Sequence, residues 1–170
     1  MREIFWVLPI LFMFHDFEEI IFLENWVKNL DRKRLDKHYA KRIIEKILLN
    51  LKNTTTANFA IGVFCIYMLL ISCTFIAYIW NLEEFWISLF LVFTLHLVFH
   101  CIQAIIFKGY IPALYTSLIC IPICMYILFY IFSKHTFSCT YITLQTIVMS
   151  ILCMALLYFI HKKILKIKLY

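Results

Sequence analysis

Six residues stand out because a mostly apolar chain should not carry them where they fall. His15, Glu18 and Glu19 interrupt the hydrophobic run that begins at Ile4, and His96, His100 and Gln103 interrupt a second run rich in Phe, Leu and Val. On a helix the first three occupy i, i+3 and i+4, and the second three i, i+4 and i+7, so each set projects from one face. Asp16 points away from the first face and is left out of it. Imidazoles and carboxylates on facing helices are what a metal site in a helix bundle needs. Three histidines with one or two glutamates suit zinc, or iron or manganese where two ions bind. On this reading His15, Glu19, His96 and His100 are the candidate metal ligands. An unligated Glu18 or Glu19 would act as acid or base on water activated by the ion. The alternatives for the same residues are a structural network of His–Glu hydrogen bonds, a metal or proton carrier, and a haem held by two histidines.

The elements that must position these groups are membrane helices. Of 170 residues, 64% are hydrophobic and 15% charged, with seventeen Phe and only two Gly. That is more apolar surface than a water-soluble fold of this size could hide, so much of the chain has lipid as its solvent. The composition predicts one all-α integral membrane domain over 1–170, a polytopic helix bundle. Its five spans fall at roughly 4–25, 57–80, 86–107, 111–132 and 142–161. The first could be mistaken for a signal peptide, but it contains acids and no small-residue cleavage site follows it. Between the first two spans, Leu35, Tyr39, Ile43, Ile47 and Leu51 recur every four residues opposite Lys37, Lys41, Arg42 and Lys46. This predicts an amphipathic helix over 31–52 lying on the cytoplasmic leaflet. Asn53 to Thr56 can cap the second span, Pro112 suits the first position of the fourth, and Pro122 should bend it.

Basic residues give an orientation. Fourteen of the sixteen Lys and Arg fall on one side of five spans, leaving Arg2 and Lys134 on the other. The positive-inside rule then places the N-terminus outside and the C-terminus in the cytoplasm. The lipid bilayer is the expected partner, with a lipid-like small molecule as substrate; nucleic acid is not expected, since topology accounts for the basic clusters. The seven cysteines sit in apolar runs as small buried residues. Trp6, Trp26, Trp80 and Trp86 fall near span ends, as an interfacial aromatic belt would have them.

Three acids in one span would oppose its insertion by about 7–10 kcal/mol if they were lone charges, so they require partners. His15 lies thirteen residues before Lys28 and His96 twelve before Lys108, which sets His15 level with His96 and Glu19 level with His100. Asn58, Tyr115 and Thr116 reach the same half of the membrane. With Gln103 they would hold the ligands in place or orient a substrate.

The string His15-Asp16-Phe17-Glu18-Glu19 resembles the signature of the HXXEE family of small bacterial membrane proteins. The later strings His96-x-x-x-His100-x-x-Gln103 and Tyr110-x-Pro112-Ala113-x-x-Thr116 are similar to that family's second region. The resemblance implies a multi-span helical fold in the bacterial cytoplasmic membrane and a membrane enzyme of unassigned reaction. Ala113 departs from the pattern, in which Gly often follows the Pro. Together these features lead us to expect a metal-dependent, hydrolase-like enzyme with its site in the cytosolic half of the bilayer.

Overall fold

The computed structural model describes residues 2–29, 55–134 and 136–164, with side chains as far as residue 159. The amphipathic helix expected over 31–52 lies outside the described residues. All described regular structure is helical. A 3-10 turn, Arg2–Trp6, leads into α1, Val7–Asn29, followed by α2, Thr56–Trp80, α3, Glu83–Phe107, α4, Leu114–Lys134, and α5, Cys139–Ile164.

Four of these, α2 to α5, are long and apolar enough to cross a membrane. α1 is equally long but carries Asp16, Glu18, Glu19, Glu24 and Lys28. The chain is thus a membrane helix bundle in which one helix is polar on its inner side. Large apolar side chains such as Ile105, Phe129 and Tyr126 are mostly exposed; in water that would be untenable, and in lipid it is the ordinary outer surface.

Local chemistry fixes the helix ends. Thr55, in extended backbone, accepts a hydrogen bond from the Asn58 amide at 3.2 Å and caps α2. Asn81 and Lys108 close α2 and α3 in the left-handed conformation, at φ 59° and 51°. α3 begins before the expected residue 86 because Glu83 and Glu84 suit the positive end of a helix dipole. α4 begins later than expected. Pro112 is not its first residue but sits in a turn closed by the Leu114 amide on the Ile111 carbonyl, 3.3 Å. With Pro second and Ala113 third at φ 68°, this has the signature of a type II turn, whose third position favours glycine.

α1 packs against α2 on one side and α4 on the other; α3 packs against α4 and α5. At the end holding Arg2, the interior is an apolar plug. Phe5 stacks on Trp86 at 4.9 Å, Trp86 on Phe90 at 4.9 Å, and the Trp86 indole donates to the Phe5 carbonyl at 3.0 Å. Trp86 is therefore not part of an interfacial belt: it is fully buried, because the N-terminal turn folds over it. Trp80 by contrast is 67% exposed.

Candidate metal centre

The polar half of the bundle begins one turn past the Phe12–Phe93 contact between α1 and α3. His15 is completely buried and faces both α3 histidines, its ring centre 5.3 Å from His96 and 5.0 Å from His100. His96 and His100, one turn apart, bring their Nε2 atoms to 3.0 Å. One ligand atom from each of the three rings lies within 4.8 Å of the others. Two nitrogens on one tetrahedral zinc stand about 3.3 Å apart, given bonds of about 2.0–2.1 Å. The His96–His100 spacing is already close to that.

The expected heights are off by about half a turn, as His15 sits between His96 and His100 and not opposite His96 alone. Glu19 falls with His96, although counting from the lysines sets it against His100; a long side chain leans back towards the N-terminus of its helix.

Glu18 turns away from the histidines to the start of α4. Its Oε2 accepts from the Thr116 amide and the Thr116 hydroxyl, both at 2.7 Å, and its Oε1 from the Tyr110 hydroxyl at 2.8 Å and the Tyr115 amide at 3.3 Å. A carboxylate of α1 thus caps another helix, where free amides and the helix dipole favour negative charge. Burial, and then the bond to Glu18, push the Tyr110 phenol above its ordinary pKa. Tyr110 stacks on Tyr115 at 5.0 Å, and its carbonyl accepts from the Trp26 indole at 2.8 Å. The Tyr115 ring is exposed, so this residue reaches the network through its backbone.

Thr116 connects the two sets. Its single hydroxyl proton goes to Glu18, the nearest acceptor, so its oxygen is left to accept from His15 Nδ1 at 3.2 Å. That fixes the His15 proton on Nδ1 and leaves Nε2 with a bare lone pair. Nε2 is buried and, among the described residues, lacks a hydrogen-bond partner, as does His100 Nδ1. Unpartnered buried nitrogens cost about 1–3 kcal/mol each. A cation would use the first of them as a ligand, with Thr116 and Glu18 orienting the ring from behind.

Asp16 is buried as well. It does not leave the polar group as its offset from His15 suggests, because α1 is enclosed by neighbours over a wide arc. One oxygen of Asp16, one of Glu19 and a nitrogen of His96 form a second set within 4.8 Å. Glu19 and His96 keep partial exposure while His15, Asp16 and His100 do not. Gln103, half-buried, follows His100 by three residues on the same stripe. Asn58 is buried in the first turn of α2, close to where the Thr56 amide and hydroxyl both donate to Glu24 at 2.6 Å. The sequence had marked neither Tyr110 as a partner of Glu18 nor Asp16 as part of the group.

No curated protein and no solved structure matches the chain. The family described as proteins of unknown function with an HXXEE motif matches residues 6–127. That is 122 of 170 residues, and it takes in both polar stripes, the Glu18 cap and the turn before α4. Its three named letters fall on His15, Glu18 and Glu19, which have three different surroundings here. On that match the chain belongs to the HXXEE-motif family.

Proposed function

We propose that the protein is a metal-dependent integral membrane enzyme, hydrolase-like, acting on a lipid or other amphipathic substrate. Its ion would be held by His15, His96 and His100, with Glu19 as a further ligand or as the proton acceptor. Zinc is the ion best suited to three imidazoles. The observation that carries this reading is the meeting of three imidazoles from two helices, one with a buried Nε2 that has no partner among the described residues and whose ring is oriented by Thr116. An ion bound there supplies Lewis acidity and makes water a nucleophile near neutral pH.

The chain's own groups divide the remaining work. Thr116 and Glu18 keep His15 in the liganding tautomer. Glu19 would take a proton from a reacting group. Gln103, half-buried on the stripe of His96 and His100, would orient a polar part of the substrate. The bias of basic residues supports a cytosolic position for this half of the bundle.

A haem between histidines fits poorly, since nitrogens 3.0 Å apart and rings in edge contact leave no space for a macrocycle. A carrier fits poorly too, because the Phe5–Trp86–Phe90 stack fills the opposite half with apolar rings.

The test is elemental analysis of protein purified in detergent without chelator, wild type beside His100→Ala and Glu19→Ala. The expected result is stoichiometric metal in the wild type and its loss from His100→Ala with helical circular dichroism intact. Absence of stoichiometric metal from the wild type would overturn the proposal in favour of a structural His–Glu network.

A further inference from the structure

Three acids outside the histidine group find their partners in helix ends. Glu18 accepts from the amides that open α4, Glu24 from the Thr56 amide that opens α2, and Glu84 from the Ser138 amide just before α5 at 3.2 Å. Asp16 and Glu19 have no such donors. Among the described residues neither makes a hydrogen bond or an ion pair, although Asp16 is only 4% exposed. Carboxylates left in this way are settled by a proton or by a cation, and three potential ligand atoms within 4.8 Å of one another favour the cation.

The five potential ligands do not close on a single point. They resolve into two groups of three, His15–His96–His100 and Asp16–Glu19–His96, each with its atoms within 4.8 Å and the two meeting at His96. We propose that Asp16 and Glu19 hold a second divalent cation beside the one among the histidines, with His96 at the boundary, so that the centre is dinuclear. This rests on the reading that the histidine group takes the first ion.

The donor types differ in the direction that two unlike positions require. Imidazoles favour zinc or iron and paired carboxylates a harder ion such as manganese or magnesium, and manganese supplied in excess can occupy both. Ions in two-metal sites stand about 3.5–4 Å apart, a spacing that two groups sharing one residue can provide. Asp16 occupies an unnamed position of the HXXEE motif, so the family's signature does not assign it this role. One dication neutralises the two carboxylates. A second leaves surplus positive charge, available to an anionic group on a substrate.

The experiment is to load detergent-purified wild type, Asp16→Asn and His100→Ala with Mn²⁺, desalt them, count manganese per chain by mass spectrometry and record electron paramagnetic resonance spectra. Two ions per wild-type chain with an exchange-coupled spectrum are expected. Asp16→Asn should keep one ion and show an uncoupled six-line signal. The wild-type spectrum decides the point even if a variant fails to fold. One ion per chain in the wild type, retained in Asp16→Asn and lost in His100→Ala, would overturn the second position and leave the first. No ion in the wild type would overturn both. Two ions in the wild type with any count but one in a folded Asp16→Asn chain would overturn the assignment to Asp16.

Discussion

Glu18 and Glu19 are joined by one peptide bond, and their carboxylates face opposite electrostatic surroundings. Glu18 meets the open end of α4 and collects four donors, two of them backbone amides. Glu19 meets the side of α3 and, among the described residues, finds His96 and Asp16 but no hydrogen-bond donor. In a medium without water, an acid is settled by helix-end amides, by a cation or by taking up a proton. The same helical turn of α1 thus combines a carboxylate tied into the fold with one that the proposed ion would engage. The family motif names both without telling them apart.

Substitutions can break this contrast, the largest effect falling on the capped side. Glu18→Ala leaves two amides and two hydroxyls without their acceptor. It should lower stability by about 3 kcal/mol, seen as a drop in thermal midpoint in detergent whether or not metal is present. Glu19→Gln should do the reverse in metal-free protein. Removing a half-buried carboxylate that finds no donor among the described residues should raise stability by about 1 kcal/mol, while metal retained after dialysis falls. Equal destabilisation by the two variants would erase the distinction.

Thr116→Val sharpens the boundary between the two sides. It keeps the backbone amide on Glu18 but removes the hydroxyl behind His15. Metal affinity should fall about 10–100-fold in a zinc competition titration, with Thr116→Ser restoring it. The smallest effect belongs to Ala113. A left-handed alanine costs about 1–2 kcal/mol, part of which glycine gives back as backbone entropy. Ala113→Gly should therefore raise the thermal midpoint by the equivalent of about 1 kcal/mol.

Much of this was legible in the residues alone. Spans 57–80, 86–107 and 142–161 agree with α2, α3 and α5 to within a few residues, because long apolar runs have few other ways to satisfy their backbone. His15, His96 and His100 could be brought together on paper since helical spacing fixes which residues share a face. Glu18 could not be assigned, because its partners are mainly backbone amides, which every residue but proline has and no residue type announces. Asp16 was lost to a sound rule applied too narrowly: one residue along a helix turns the side chain by about 100°, which leaves the interior only when neighbours lie on one side. Trp86 was misplaced because a sequence gives its distance from a span end but not whether the preceding turn folds back over it.

The cap on α4 also bears on how the chain is assembled. The groups that receive Glu18 belong to residues 92 to 98 positions further on, so they do not exist when α1 leaves the ribosome. Until the turn at Ile111–Ala113 and the first residues of α4 have been made, that acid has only water, headgroups or a proton to stabilise it. Final seating of α1 must therefore wait for a helix synthesised three spans later. A chain cut short before Tyr110 should leave its first helix loosely held, within reach of aqueous reagents and of membrane proteases.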